Sequence, residues 1–419
     1  MSAFTRRDGT LFAEEVPLDT LARRYGTPLY VYSASALQAA YDALDSALAD
    51  VPHTICYSIK SNMNLAVVRT LVARGAGVDV TSGGELFRAL RAGAAPAKIV
   101  YSGVGKRDDE IGQALDAGIK LFNVESLAEL RRIDAVAAER GVCAPVAFRV
   151  NPDVDPKTHP YISTGLRTSK FGIPWGEAVS AYAEAKALEH VEPVGIDCHI
   201  GSQITRVQPF VDALNRVRHL LLELRDAGHE IRTIDVGGGL GVRYDDERPP
   251  SFEDYARGVL ESVGGLGCEL IFEPGRALVA NAGVLLTRVL YEKTNEDKRF
   301  VIVDAGMNDL IRPALYQAYQ RIEPVDPARG EPRAADLVGP VCESGDFLAK
   351  DLPFPPVERG DLLAVHSAGA YGFSMSSNYN GRPRAAEVLV KGGRAALVRE
   401  REDYEDLVRG ETIPEELTG

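Results

Sequence analysis

Cysteine is scarce and unpaired. Cys56, Cys143, Cys198, Cys268 and Cys342 are odd in number, far apart and never in C-x-x-C spacing. That excludes a disulfide framework and a thiolate zinc site, and a reduced, cytoplasmic location is expected. Long apolar runs are missing too. No stretch reaches the ~18 apolar residues that cross a bilayer, and Arg6 and Arg7 have no apolar run behind them, so no signal peptide is expected. Positive charge is in deficit: 47 Lys and Arg stand against 60 Asp and Glu, a net charge of −13. Such a surface repels phosphate backbones and anionic lipid, which excludes nucleic acid and membrane surfaces as expected partners. The densest basic stretches are single turns such as Arg131-Arg132, which read as solvated helix faces. Low-complexity linkers are absent, and so is any repeat beyond a strand–helix period.

What is present is an alternation of strand-like and helix-like segments along a chain of 419 residues, too long for one ordinary core. Eight runs have the near-continuous apolar character of parallel strands covered on both faces. They are Thr54–Lys60, Gly77–Ser82, Lys98–Gly103, Ile119–Ser126, Pro145–Pro152, Pro193–Ser202, Thr233–Gly241 and Cys268–Arg276. Amphipathic stretches lie between them. In Ser126–Arg140, apolar Leu127, Leu130, Ile133 and Ala137 recur at helical spacing while Glu129, Arg131 and Arg132 face away. Eight such units closing on themselves predict a (β/α)8 barrel of the TIM type; seven in an open, doubly wound sheet is the competing count.

After about Leu285 the texture changes to short β-rich runs divided by Gly, Pro and acidic turns. The predicted division is a barrel over 37–285 and a mostly β domain from 1–36 with 286–419, the first residues joining it through Pro28–Ser33.

In such a barrel, chemistry is built at the C-terminal ends of the strands. Those ends carry Lys60, Ser82, Asn123 with Glu125, Arg149 with Asn151, His199, Gly237-Gly238-Gly239 and Glu273. Any one of them reads equally as the start of a polar loop; as a set they make chemical sense together. Lys60 follows an apolar strand, where desolvation favours the free amine that an imine needs; the rival reading is a lysine snorkelling out of the mouth. The triple glycine lets backbone N–H groups approach an anion, or is simply a tight turn. It is not a G-x-G-x-x-G fingerprint, so NAD is disfavoured. Glu273 can accept from a pyridinium N–H or pair with Arg276, and His199 can stack on a flat ring, act as a base or be structurally satisfied. Cys342 reads as a small buried hydrophobe or, among Pro340, Glu343, Ser344 and Asp346, as part of an exposed loop. Arg312 and Tyr316, four apart, share a face if helical.

The segments YSIKSN, NPDVDPKTHPYISTG with SKFG, HIGSQ, GGGLG, EPGRA, DAGMNDLIRPALY, GPVCESGD and GAYGFSMSSNYN run in order from Tyr57 to Asn380. They resemble those of the diaminopimelate decarboxylases, a family of the alanine-racemase-like (fold-type III) pyridoxal-phosphate proteins. The resemblance implies a barrel followed by a β domain, with pyridoxal 5'-phosphate as cofactor. Lys60 would bind the cofactor as an imine, His199 would stack on its ring, and Glu273 would meet the pyridinium nitrogen. Ser202, Gly238, Gly239, Gly275 and Arg276 would lie around the phosphate and substrate. Arg276, Arg312 and Tyr316 would hold the substrate, with Arg312 clamping a distal carboxylate. Cys342 would donate a proton, Glu343 would bind the distal ammonium, and Tyr371 would touch cofactor and substrate. A homodimer with shared sites is implied, Cys342 and Glu343 reaching into the partner's.

The expected reaction is decarboxylation of meso-2,6-diaminopimelate to L-lysine. An ornithine- or arginine-type decarboxylase is the nearest alternative, although its C-D-G-type loop differs from CESG and gives Arg312 no task. A racemase, a pyridoxal-phosphate carrier and a flavin- or phosphosugar-binding barrel fit less well. The segment Pro152 to Gly172 is the candidate lid.

Overall fold

A computed structural model describes residues 3–154, 164 and 169–418. The chain divides into two compact units, Ala36–Asn281 and a second made of Met1–Ser35 with Ala282–Gly419. The first is a closed barrel of eight parallel strands: β1 (His53–Ser58), β2 (Gly77–Val80), β3 (Ile99–Tyr101), β4 (Leu121–Val124), β5 (Ala144–Asn151), β6 (Val191–Asp197), β7 (Thr233–Asp235) and β8 (Glu269–Phe272). Neighbours pair in sequence order, and β8 returns to β1 to close the ring. All eight predicted strands are therefore present, but several end earlier than expected. Lys60 lies past β1 in the 3₁₀ turn Ile59–Ser61, and His199 and the triple glycine lie beyond β6 and β7.

Strand periodicity sorts the side chains. Tyr57, Tyr101, Phe122, Phe148 and Phe272 are fully buried. Those on neighbouring strands touch, as Tyr101 does Phe122 (5.9 Å), and others meet aromatic rings on helices, Phe148 with Tyr182 (4.8 Å). Alternate residues form an apolar plug of Cys56, Val100, Leu121, Ala147, Val194 and Ile271. Two residues further along β1, β3, β4, β5 and β8, on the same face, stand Ser58, Ser102, Asn123, Arg149 and Glu273. A polar layer thus rests directly on an apolar floor.

Local signals delimit the helices. Ser126 caps Leu127–Arg140 by accepting from Glu129 N–H (3.2 Å), and Gly141 ends it in the left-handed conformation (φ 62°) that a Cβ disfavours. Leu130, Ile133, Val136 and Ala137 are buried and Arg131 and Arg132 exposed. Glu129 departs from expectation. It turns inward to the fully buried Lys106, whose Nζ lies 2.6 Å from Glu129 Oε1 and 2.6 Å from the Asn123 carbonyl. Ser82, read above as a rim residue, caps the helix Gly83–Arg91 instead, accepting from Glu85 N–H at 3.2 Å.

The second unit is mostly β. Its long sheet runs Phe347–Phe354, Arg333–Val338, Lys298–Val303, Gly283–Asn295, Leu29–Ser33, Ala386–Lys391 and Arg394–Arg399. Leu29–Ser33, buried throughout, pairs antiparallel with Gly283–Asn295 and parallel with Ala386–Lys391. Leu29, Val31, Val284, Leu286, Ala364 and Val388 form the centre of its core.

The Lys106–Glu129 pair yields a stability test. Lys106→Ala leaves a buried carboxylate unpaired and should cost about 3–5 kcal/mol. Adding Glu129→Gln should restore part of that loss in urea denaturation; equal losses in both variants would mean that the charge pairing contributes nothing.

Candidate functional site

The site begins with Lys60. Its Nζ lies 3.0 Å from Asp79 Oδ2 on β2, and Ser58 Oγ donates to the same oxygen. Asp79 is fully buried, whereas the Lys60 side chain is 40% exposed. The expected apolar surroundings of Lys60 are corrected here: its amine faces a carboxylate that stabilises the ammonium.

Carboxyl groups crowd the polar layer. Asp79, Asp197, Asp235 and Glu273 are all buried. Asp197 sits level with Arg149 on one side and Asp235 on the other. Burial, then Asp235, Asp79 and Asp197, push the Glu273 carboxyl well above its ordinary range. Burial pushes Asp235 up to about 6, opposed by N–H bonds from Asn123 and Gly237. Glu273 Oε1 accepts from Ser102 Oγ (3.0 Å) and Asn123 Nδ2 (3.2 Å). Three buried oxygens of this layer, Asp79 Oδ1, Asn123 Oδ1 and Asp197 Oδ1, have no hydrogen-bond partner. Unsatisfied acceptors and excess negative charge mark a place suited to a cationic or donating guest.

The glycine turn closes one side. Gly237 and Gly239 have φ of +69° and +109°. A Cβ on Gly238 would stand 2.2 Å from the Glu273 carbonyl oxygen, and one on Gly239 2.3 Å from that of Gly201. Only bare backbone fits. Gly238 N–H donates to His199 Nδ1 (3.0 Å), which places the imidazole hydrogen on Nε2. Burial, then the Arg149 and Lys60 cations, hold the His199 pKa well below its ordinary value, so the ring is neutral. Its carbonyl accepts from Thr164 Oγ1 (3.0 Å) and Arg149 Nη2 (3.4 Å).

Gly275 precedes the short helix Arg276–Val279, and a Cβ there would press on Ser58 and Ser61 at 3.1 Å. Arg276 is buried, donating to Tyr244 OH (2.6 Å) and Ser202 Oγ (3.1 Å). Lys60, His199, Ser202, Gly238, Gly239, Glu273, Gly275 and Arg276 therefore all belong to the C-terminal end of the barrel unit.

The remaining predicted residues belong to the second unit. Arg312 opens the helix Arg312–Tyr316, as the four-residue spacing anticipates, and is 5% exposed. With the Gln320 amide oriented to satisfy both its contacts, Gln320 accepts from Arg312 Nη1 (2.5 Å). Cys342 is exposed on a loop pinned by Asp346, which accepts from Met307 N–H and Val341 N–H at 2.6 Å each. Cys342 N–H donates to Asn380 Oδ1 (2.8 Å), and Tyr379 OH donates to Glu343 Oε2 (2.8 Å). Tyr371 has φ +55°, a left-handed backbone uncommon for a bulky residue and often found at functional sites.

Sequence reading missed Asp79, Asp197, Asp235, Ser102 and Tyr244. A signal for the three aspartates was present: V-D-V, I-D-C and I-D-V each put a carboxylate inside an apolar strand, where it needs a reason. Of the candidate lid, residues 155–163 and 165–168 lie outside the described residues. Among the described residues, no group of three or more His, Cys, Asp or Glu can hold a metal, and no helix is long and apolar enough to cross a membrane.

Comparison with known proteins adds the following. The family described as "Pyridoxal-dependent decarboxylase, pyridoxal binding domain" matches residues 34–280. A diaminopimelate decarboxylase of Pseudomonas aeruginosa is 57% identical over 99% of both chains. A crystal structure of diaminopimelate decarboxylase from M. jannaschii in co-complex with L-lysine superimposes with TM-score 0.95 at 39% identity, covering 100% of each chain. A lysine/ornithine decarboxylase from Vibrio vulnificus, crystallised with putrescine, is more distant: TM-score 0.79 and 25% identity over 89% of this chain and 97% of that one.

The state of His199 is measurable. Its imidazole nitrogens should keep the neutral Nε2–H pattern in ¹⁵N NMR spectra as pH falls through 6.5, the ordinary value. The unfolded imidazole takes up a proton there and the folded one does not, so this group subtracts stability as pH drops below 6.5. A cationic His199 spectrum at pH 6 would contradict the burial argument.

Proposed function

The chain belongs to the pyridoxal-dependent decarboxylases and, within them, to the diaminopimelate decarboxylase family; on that premise we propose that it decarboxylates meso-2,6-diaminopimelate at its D-centre, yielding L-lysine and carbon dioxide. This is the last step of lysine biosynthesis, and pyridoxal 5'-phosphate is the cofactor. The observation that carries the reading is the convergence, at one barrel mouth, of a reactive amine, a neutral imidazole, a side-chain-free turn and a buried carboxyl. These fit the cofactor group by group.

Bound pyridoxal phosphate supplies an electron sink for the pair left when carbon dioxide departs. Lys60 would anchor it covalently, with Asp79, 3.0 Å away, orienting the amine. Glu273 keeps the ring nitrogen protonated. His199, held neutral and oriented by Gly238 N–H, offers a flat face to the ring without a competing charge. Ser202, Gly238, Gly239 and Gly275 would surround the phosphate. Arg276, fixed by Tyr244, meets phosphate or substrate carboxylate. On the second unit, Arg312 is assigned to the distal carboxylate, Glu343 to the distal ammonium, Tyr316 and Tyr371 to substrate contacts, and Cys342 to proton return.

A site that demands a carboxylate and an ammonium together rejects diamino acids lacking the carboxylate. That, with the lower likeness to the lysine/ornithine enzyme, sets the alternative substrate aside. Reading the chain as a cytoplasmic homodimer with shared sites is part of the same proposal. It rests on the family and on free thiols at Cys56, Cys143, Cys198, Cys268 and Cys342.

Purified protein given meso-diaminopimelate should release carbon dioxide and lysine, and borohydride should fix the cofactor on the peptide containing Lys60. Release from ornithine but not diaminopimelate, or label on another lysine, sinks the assignment. For the shared site, Lys60→Ala and Cys342→Ala should each be nearly inactive alone. Equal amounts allowed to exchange make half the dimers mixed, each with one intact site, so about a quarter of wild-type activity should return. If mass measurement confirms exchange and activity stays absent, Cys342 does not serve a partner's Lys60.

A further inference from the structure

The mechanism above uses Glu273 and leaves Asp235 without a task. Asp235 is 1% exposed, in the last position of β7, two residues before Gly237 of the glycine turn. A carboxylate buried for no purpose is expensive, and this one lies beside another. The Asn123 amide joins them: its Nδ2 lies 2.9 Å from Asp235 Oδ2 and 3.2 Å from Glu273 Oε1. Two buried carboxyls held on one amide nitrogen resist ionising together, and the pair carries one proton.

The donors decide which carboxyl holds it. Asp235 accepts N–H bonds on both oxygens, from Gly237 N–H on Oδ1 (2.9 Å) and from Asn123 on Oδ2, which favours its ionised form. Glu273 receives both its side-chain bonds on Oε1, leaving a second oxygen to carry hydrogen. The other charges near the pair are Asp79 on β2, Asp197 on β6, Arg149 on β5 and Lys60 after β1, with the Cys56 thiol below them on β1 and neutral His199 after β6. Asp79 and Asp197 add to the negative field; Arg149 and Lys60 oppose it.

We propose that Asp235 is a positioning residue for Glu273: joined to it through Asn123, it keeps a proton on Glu273 that leaves to solvent when a ring cation docks there. The balance is one proton. Before docking, the pair carries a single negative charge on Asp235. Afterwards Glu273 is a carboxylate against the ring N–H, and the displaced proton is in water. Asp235 thereby makes cofactor capture proton-coupled. The inference rests on the pyridoxal-phosphate reading of this site.

The test is calorimetric. Cofactor-free full-length protein is titrated at pH 7 with pyridoxal 5'-phosphate and, separately, with the analogue that has C–H in place of the ring nitrogen. Each titration is repeated in two buffers of different ionisation heat to count protons. Both compounds form the same bond to Lys60, and the protons that each ligand's own ring and hydroxyl exchange are the same in wild type and variant, so they cancel between the two proteins. The excess released with the natural cofactor over the analogue should be about one proton larger in wild type than in Asp235→Asn, where Glu273 faces an N–H donor instead of a second charge and is ionised beforehand. A merely structural role for Asp235 would weaken both ligands together and leave the excess unchanged, and that result overturns the proposal. If Asp235→Asn does not fold by circular dichroism, Asp235→Ser provides the same comparison. Wild type that binds neither compound would defeat the cofactor reading itself, and this inference with it.

Discussion

Charge taken out of water needs an opposite charge, a proton or a set of donors. The barrel's polar layer is organised by that requirement. Asp79, Asp197, Asp235 and Glu273 sit on an apolar plug with few cations to balance them. Arg149 is committed to Glu125, 2.9 Å away, and Lys60 to Asp79. What remains uncompensated is negative and lies at the end where strands give way to loops. The electrostatics therefore favour a cationic or hydrogen-bond-donating guest at that end.

The surrounding pieces hold that layer in place. The bare backbone of Gly237–Gly239 lets β7 pass close enough to Glu273 and His199 for Gly238 N–H to fix the imidazole tautomer. Arg149 ties Glu125 to the His199 carbonyl, and Glu125 in turn accepts from Gly172 N–H (2.6 Å), so Gly172 is fastened to the same network. Lys106 and Glu129 secure the loops behind β3 and β4 from below.

Much of this was legible in the sequence, for physical reasons. Eight apolar runs ending in polar residues survive as a pattern because a strand covered on both faces tolerates little else. Lys60, His199, the triple glycine and Glu273 stand out because each ends such a run. Asp79, Asp197 and Asp235 were overlooked because a strand's period of two also sends single residues into the barrel interior, where partners come from other strands and no local spacing reveals them. Glu129 was misplaced for a related reason: helical periodicity faces it outward, but a buried Lys106 from a neighbouring loop draws it in. Arg312, likewise, gave no local sign of its burial. Helix caps such as Ser82 lie between these cases, since a serine at a strand end is also a serine at a helix start.

The route of the chain through the second unit constrains how the protein is made. Leu29–Ser33 emerges from the ribosome early, yet its hydrogen-bonding partners are Gly283–Asn295 and Ala386–Lys391, some 250 and 350 residues later. During synthesis this apolar strand has both edges unpaired while the barrel units are being completed, the condition under which strands join wrong neighbours. Closing so long a loop is entropically slow but, because the cost grows only logarithmically with length, not prohibitive. The nascent chain therefore carries an adhesive segment for most of its translation, and its yield in a cell should depend on how well chaperones shield those five residues.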